Sequence, residues 1–149
     1  MDALDEQDRH IIRLLAADGR MSFTDLAKAT KLSTSAAHQR VRRLEQRGVI
    51  SGYAALINSE GAGLPLTAFV SVSPIDPADP DDIADKLAPL AAIESAYSVA
   101  GDQNYILKVR VASPGELETL LSEIRSTAHV TTRTTVVLSV PFEHRPPPV

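Results

Sequence analysis

The spacing of apolar residues changes near residue 60 of this 149-residue chain. Before that point apolar side chains recur every three or four residues, the period of an α-helix. After it, segments that alternate like β-strands become frequent. The stretch between, INSEGAGLPL, carries Gly61, Gly63 and Pro65, which favour turns. Since the two patterns bury side chains differently, we expect two small domains rather than one continuous core.

The fold class expected from this order is α+β. The predicted divisions are a three-helix domain over 1–50, a linker with a short strand over 51–65, a strand-and-helix domain over 66–140 and a tail over 141–149. Three consecutive prolines exclude helix and central strand from the tail, which is therefore expected to be extended.

The net charge of −4 is unevenly divided. Residues 1–58 hold nine Lys and Arg against seven Asp and Glu, a net of +2, whereas residues 59–149 hold six against twelve, a net of −6. An acidic protein can still bind nucleic acid through its first half, because a phosphate backbone responds to the local potential.

Several classes of site and location are excluded or disfavoured. The chain has no cysteine, which removes disulfides, thiolate metal sites and cysteine nucleophiles. The four histidines are scattered without zinc spacing, and the DPADPDD run lacks the periodicity of a calcium loop, so no metal or other cofactor is expected. The acidic start MDALDEQDRH and the lack of a long apolar run predict a cytoplasmic protein without a membrane partner.

Helical spacing in the first domain predicts three helices, over 5–17, 23–30 and 34–47. Ser22 and Ser33 stand at the N-caps of the second and third helices, and Gly48 can end the third in a left-handed conformation. Asp8 is a polar exception on the apolar side of the first helix. A short helix, a tight turn and a longer basic helix form a helix-turn-helix layout.

The third helix buries Ala37, Val41 and Leu44 and turns polar groups outward. An arginine-rich face is often merely solvated, with Glu45 pairing to its neighbours, but the helix-turn-helix context favours DNA binding. The arginines are then expected to hold phosphates or guanine, and the His and Gln to read base edges. The predicted DNA-binding residues are Ser33, Thr34, Ser35, His38, Gln39, Arg40, Arg42, Arg43 and Arg47.

The second domain reads as β-α-β-β-α-β, a ferredoxin-like order with both helices on one face of an antiparallel sheet. The predicted segments are strand 66–74, a helix with Ile83, Leu87 and Leu90 inward, strands 94–102 and 105–113, helix 114–127 and strand 131–140. The uncovered face carries Phe69 and Val137, which predicts a dimer packed sheet to sheet.

Both halves resemble the leucine-responsive/asparagine-type (Lrp/AsnC, feast-or-famine) regulators. In the first half the resemblance rests on Leu32-Ser33, Ser35-Ala36, Arg40-Val41, Leu44-Glu45, Gly48-Val49-Ile50 and Gly52-Tyr53, in matching order. Lys31 departs from the family, which usually places glycine there. If that position needs a positive φ, lysine costs about 1 kcal/mol.

In the second half the resemblance implies an effector site for a free amino acid or related small molecule. Asp102 is expected to attract an ammonium group, and Asn104 replaces a frequent aspartate. The residues carried over are Tyr97, Val99, Gly101, Asp102, Gln103, Asn104, Thr132 and Thr134. The alternative for Gly101–Asn104 is an ordinary β-hairpin turn.

We therefore predict a sequence-specific DNA-binding transcriptional regulator whose oligomerisation and DNA binding respond to an amino-acid effector. The expected partners are double-stranded DNA, the amino acid and a second copy of the chain; the resemblance implies four dimers, an octamer, associated with the nucleoid. Two alternatives remain at this stage: an architectural nucleoid protein without an effector, and a small ferredoxin-like enzyme, although no catalytic residues are identifiable.

Overall fold

The protein divides into two compact units in the computed structural model, which describes residues 3–149. One unit runs from the N-terminus to Leu56 and also includes Phe142–Val149; the other is Ile57–Pro141. The three-helix domain predicted over 1–50 begins with two residues outside those described. None of the helices among the described residues has the length and the apolar run that crossing a membrane would need.

The first unit contains three helices whose bounds follow their capping residues. They are α1 (Glu6–Ala17), α2 (Phe23–Thr30) and α3 (Thr34–Gln46). Asp5, Ser22 and Ser33 are the N-caps, and each side chain accepts a hydrogen bond from a main-chain N–H three residues later. Asp5 therefore precedes α1 instead of beginning it. The helices enclose a core that includes Ile11, Leu26 and Leu44.

The tail lies against this first unit without forming a helix or strand, and His144 within it has a left-handed φ of 57°. The side chain of Val149 packs on the helical core, and Nη1 of Arg13 donates a hydrogen bond to the main-chain oxygen of Val149 at 3.1 Å. Within the tail, the guanidinium of Arg145 lies 3.8 Å from the centre of the Phe142 ring. The tail thus belongs to the helical unit although it follows the sheet in sequence.

The second unit has the predicted β-α-β-β-α-β order. Its elements are β1 (Leu66–Pro74), α4 (Ile83–Leu87), β2 (Ile93–Ser98), β3 (Tyr105–Val111), α5 (Pro114–Ala128) and β4 (Val130–Val136). The four strands are arranged in the order β2-β3-β1-β4, and every neighbouring pair is antiparallel. This arrangement confirms the ferredoxin-like fold class.

Several predicted element bounds differ from the structure. The strands predicted over 94–102 and 105–113 are Ile93–Ser98 and Tyr105–Val111, and α4 ends at Leu87, before Leu90. The last strand ends at Val136 rather than at residue 140. The described part of residues 51–65 contains no strand, because these residues have no hydrogen-bonded neighbour strand within the single chain.

The sheet has one buried face and one open face. Val70, Leu107 and Val109 point into the core beneath α4 and α5, and no more than 1% of their surface is exposed. Phe69 points the other way and remains 39% exposed. Since alternate residues of a strand face opposite sides of the sheet, burial of Val70 places its neighbour Phe69 on the open face.

Candidate nucleic-acid interface and small-molecule pocket

The side of α3 that points away from its own core carries Ser35, Gln39 and Arg42, all exposed. It lies opposite the buried stripe of Ala37, Val41 and Leu44, as the helical period requires. Arg42 forms no hydrogen bond or ion pair with the part of the chain that the structure describes. This outward row is therefore available to a partner.

Two of the predicted DNA-binding arginines are held by α1. Nη1 of Arg40 lies 2.7 Å from both Oδ2 of Asp5 and Oδ1 of Asp8. Nη2 of Arg43 lies 2.9 Å from Oδ2 of Asp8, whose side chain is only 1% exposed. Both arginines therefore compensate a buried carboxylate, and Arg43 remains half exposed on the solvent side where it was expected.

The acidic and basic side chains of this α1–α3 cluster balance each other in charge. The hydrogen bond from Arg40 holds the pKa of the Asp5 carboxyl below its usual range, and the carboxylates raise the pKa of Arg40 in return. Asp5, Asp8, Arg40 and Arg43 carry no net charge together. The sequence indicates Asp8 as the polar residue on an apolar helix face, but it does not indicate which residues form ion pairs with it.

The remaining predicted residues of α3 have mixed surroundings. The ring of His38 contacts Phe23 of α2 edge to face, with 4.6 Å between ring centres, which leaves the imidazole exposed but oriented. The hydroxyl of Ser33 accepts from the main-chain N–H of Ala36 as the N-cap. Thr34 is exposed in the first turn of α3, and Arg47 directly follows the helix.

The turn between α2 and α3 is closed by a left-handed lysine. Lys31 has φ 57° and ψ 33°, so the position does require the positive φ for which glycine is suited. The main-chain N–H of Leu32 donates to the carbonyl of Ala27 at 2.9 Å, and that of Lys31 donates to the carbonyl of Lys28 at 3.4 Å. These two bonds form a Schellman motif.

A polar pocket of about 460 Å³ lies at one end of the sheet. It is lined by Ser71, Ser73, Asp102, Gln103, Thr131, Thr132 and Arg133. The hairpin loop between β2 and β3 supplies the acid and the amide, β4 supplies the arginine, and β1 supplies two hydroxyls. A carboxylate and a guanidinium in one small cavity suit a zwitterionic ligand.

The register of β4 determines where two of the predicted effector residues, Thr132 and Thr134, lie. Thr132 pairs with Val72 and Thr134 with Val70, two residues buried beneath the helices, so both threonines face the helix side. Thr132 accepts a hydrogen bond from Arg125 at 3.2 Å and forms only part of the pocket wall, while Thr134 does not line it. The open-face residues of β4 that line the pocket are the intervening Thr131 and Arg133, which were not predicted from the sequence.

The other predicted effector residues, Tyr97, Val99, Gly101 and Asn104, do not line the pocket. Tyr97 is exposed on the open face of the sheet, opposite Ile106. The N–H of Val99 donates to the carbonyl of Asn104 at 3.0 Å and closes the hairpin. A Cβ added to Gly101 would meet no atom of the described chain within 4 Å, so the loop itself does not require glycine there.

The residues described contain no group of three His, Asp or Glu placed to hold a metal ion. A helix-turn-helix unit joined to a ferredoxin-like unit with a polar pocket defines a one-component transcriptional regulator. Residues 4–45 match the AsnC-type helix-turn-helix domain, and residues 67–147 match the Lrp/AsnC ligand binding domain. The chain belongs to the Lrp/AsnC family of transcriptional regulators.

Similar proteins agree with this assignment. The chain is 51% identical to the HTH-type transcriptional regulator LrpA of Mycobacterium tuberculosis, over 97% of this chain and 96% of the relative. It is 32% identical to the regulator FL11 of Pyrococcus furiosus, over 98% and 97%. A feast or famine regulatory protein from M. tuberculosis, solved in complex with L-methionine, aligns with a TM-score of 0.95 at 51% identity over 97% of this chain and 98% of that one. These relatives disfavour the enzyme and the purely architectural protein.

Proposed function

We propose that α3 enters the DNA major groove with Ser35, Gln39 and Arg42 outermost. The observation that carries this placement is the exposure of this row directly opposite the buried stripe of the helix. Arg42 supplies free positive charge, and Gln39 can form a bidentate contact with adenine. His38 contributes from the side of the row next to α2. Arg40 and Arg43 primarily fix α3 on α1, and their remaining N–H groups are secondary DNA ligands.

Replacing Arg42 with alanine should weaken DNA binding without loss of stability, because this exposed side chain forms no hydrogen bond or ion pair within the described chain. A phosphate contact would reduce the slope of log K against log salt by about 0.9 per subunit on the DNA. A base contact would instead cost about 1–3 kcal/mol and relax specificity at one position. Fluorescence anisotropy with a duplex enriched from a random library, titrated at several salt concentrations, measures both quantities.

The control is Lys86→Ala, which removes one exposed cation from α4 in the other unit. It should leave affinity and salt slope unchanged. If Arg42→Ala behaves like this control on every duplex, the outward row of α3 is not the DNA-binding surface.

We propose that the pocket at the end of the sheet binds a free amino acid. The support is chemical: Asp102 can accept hydrogen bonds from an ammonium group, and Arg133 can donate to a carboxylate. The similar structure that contains L-methionine makes that amino acid the first probe. Binding there would shift the association between dimers and hence DNA occupancy, with a coupling of typically about 1–3 kcal/mol.

Calorimetric titration with all twenty amino acids, with and without DNA, tests the effector proposal. For the tightest ligand, Arg133→Ala should weaken binding roughly 10- to 100-fold, as loss of a charge-assisted hydrogen bond does. The methyl ester of that ligand should bind wild type and Arg133→Ala almost equally, because it lacks the carboxylate. Heat from none of the amino acids under either condition would remove the proposal.

We further propose that two copies associate through the open sheet face, which presents Phe69, Ile106 and Tyr97. Beside them Glu94 accepts from Nε of Arg110 at 2.6 Å and lies 3.2 Å from Nζ of Lys108, and the arginine lowers the pKa of the Glu94 carboxyl. Lys108 and Arg110 are thus paired with a carboxylate on this face, which lowers the cost of burying them against a second copy. Higher assembly of dimers up to an octamer, and a place on the nucleoid in the cytoplasm, complete the proposal.

A further inference from the structure

Helices α2 and α3 end in the same hydrogen-bonding motif, but they carry different residues at its left-handed position. At the end of α3, Gly48 has φ 69°, its N–H donates to the carbonyl of Glu45, and the N–H of Val49 donates to the carbonyl of Leu44. At the end of α2, Lys31 and Leu32 make the equivalent bonds. Both are Schellman motifs, but only one has the glycine that its left-handed residue favours.

Both residues next to Lys31 are held by the fold. Thr30, immediately before it, is 2% exposed, and its hydroxyl donates to the carbonyl of Leu26 at 2.8 Å. Leu32, immediately after it, packs on the helical core. With both neighbours anchored, the left-handed conformation is imposed on a residue that has a Cβ, which destabilises the folded unit.

No polar contact of the Lys31 side chain with the described residues offsets this destabilisation. The Lys31 side chain is exposed, and its ammonium forms no hydrogen bond or ion pair with residues 3–149. The residue lies in the turn that leads into α3, the helix proposed to enter the major groove, so its exposed cation lies next to the helix that would contact the duplex. An exposed, uncompensated lysine at that place fits a backbone phosphate.

We propose that Lys31 is a DNA-backbone ligand, whose ammonium binds a phosphate and whose benefit to DNA binding offsets the strain at the turn. The inference rests on the proposed function, because it requires the helix-turn-helix to dock with α3 in the major groove. It adds a contact outside α3 that sequence reasoning did not include. It also explains why a lysine is tolerated where glycine would be more stable.

The test uses a substitution that should change stability and affinity in opposite directions. Lys31→Gly relieves the strain, so the Tm of the full-length protein should rise by about 2–6 °C. The same change should weaken DNA binding between roughly twofold and fivefold, the scale of an exposed ion pair. The slope of log K against log salt should fall by about 0.9 per subunit on the DNA. A purely structural role for Lys31 predicts only the first effect.

Two further variants control for backbone and charge. Lys31→Arg keeps the cation and should retain the salt slope, whereas Lys31→Asn, which tolerates the left-handed region but has no charge, should lose it. The matched control is His129→Gly: His129 ends α5 with φ 54° in the other unit, so glycine there should also raise Tm but leave DNA binding unchanged. Anisotropy titrations between roughly 50 and 200 mM salt, on both an enriched and an unrelated duplex, give all the slopes.

The outcomes separate this inference from the proposed function. A wild-type protein that binds no duplex overturns both. If wild type binds and Arg42→Ala weakens binding, but Lys31→Gly keeps the wild-type affinity and slope, only the role of Lys31 is overturned. An equal loss of affinity by Lys31→Gly on both duplexes, with the slope retained by Lys31→Arg, supports it, since a phosphate contact weakens binding irrespective of sequence.

Discussion

Replacing Arg40 and Arg43 together with alanine is expected to lower the free energy of unfolding of the helical unit by about 3–5 kcal/mol. The reason is the carboxylate of Asp8, which is 1% exposed and has these two guanidiniums as its ion-pair partners. Without them a buried charge has no compensation. Since a domain is stable by only about 5–15 kcal/mol in total, the unfolding midpoint should move to a clearly lower denaturant concentration. Denaturant unfolding followed by circular dichroism measures the loss.

The triple variant that adds Asp8→Leu is the decisive control. Leucine continues the apolar stripe of α1 and removes the stranded charge, so most of the lost stability should return. Arg42→Ala, on the outward row, should remain within about 0.5 kcal/mol of wild type. If the double variant unfolds at the same denaturant concentration as wild type, or if Asp8→Leu restores nothing, the cluster does not stabilise the contact between α1 and α3.

This result would change how DNA-binding data on α3 are interpreted. Loss of binding by an Arg43 variant would reflect unfolding as well as a lost contact, whereas loss by an Arg42 variant would not. Binding should therefore be compared only among variants whose unfolding curves match. The distinction decides which arginines contribute salt-dependent affinity and which position the helix.

The helices and the order of the strands could be predicted from the sequence because local rules determine them. Ser22 and Ser33 end the preceding loops with hydroxyls that cap a helix, and Gly48 ends α3 in a left-handed conformation, as predicted. Alternation placed Leu107, Val109 and Val111 on one face of β3. These signals need no knowledge of distant residues.

The contacts that could not be predicted join segments far apart in sequence. Asp8 is more than thirty residues from Arg40 and Arg43, and the helical period shows that each lies off its own core without showing that they meet. Likewise, the alternation of hydroxyls in β4 does not say which set faces the pocket. A shift of one residue exchanges Thr132 and Thr134 for Thr131 and Arg133, and only pairing with β1 decides it.

The contacts of the tail are a third example of long-range contacts that the sequence did not predict. Its prolines predicted an extended conformation, but nothing local indicated that Val149 packs on the helical core or that Arg13 binds its main-chain oxygen. A docked extended segment has no periodicity of its own. Its position follows from the surface that receives it.

Replacing Phe69 with aspartate is expected to abolish the dimer at micromolar concentrations. Phe69 lies in the middle of β1 on the open face, and a charge placed there would be buried without a partner when two sheets pack. A cost of about 3 kcal/mol or more raises the dimer dissociation constant at least about a hundredfold. Light scattering after size-exclusion chromatography, across a range of protein concentrations, measures the change in mass.

Phe23→Asp is the matched control for this change. Phe23 and Phe69 are the same residue type with the same exposure, 39%, but Phe23 lies on α2 in the other unit. Its replacement should leave the dimer intact, although contact with His38 is lost. If both variants keep the mass of wild type, the open face of the sheet is not where the copies associate.

The Phe69→Asp variant also tests whether dimerisation is needed for DNA recognition. A dimer places two copies of α3 in successive major grooves, about 34 Å apart, and neutralises phosphates in both half-sites. A Phe69→Asp monomer can reach only one half-site, so the salt slope should fall to about half of the wild-type value, with a correspondingly weaker affinity.

Amino-acid binding to the pocket, by contrast, should persist in Phe69→Asp if the pocket is complete within one chain. It should be lost together with the dimer if a second copy supplies part of the wall. Effector titration of Phe69→Asp therefore shows whether the pocket of about 460 Å³ seen in one chain is the whole site.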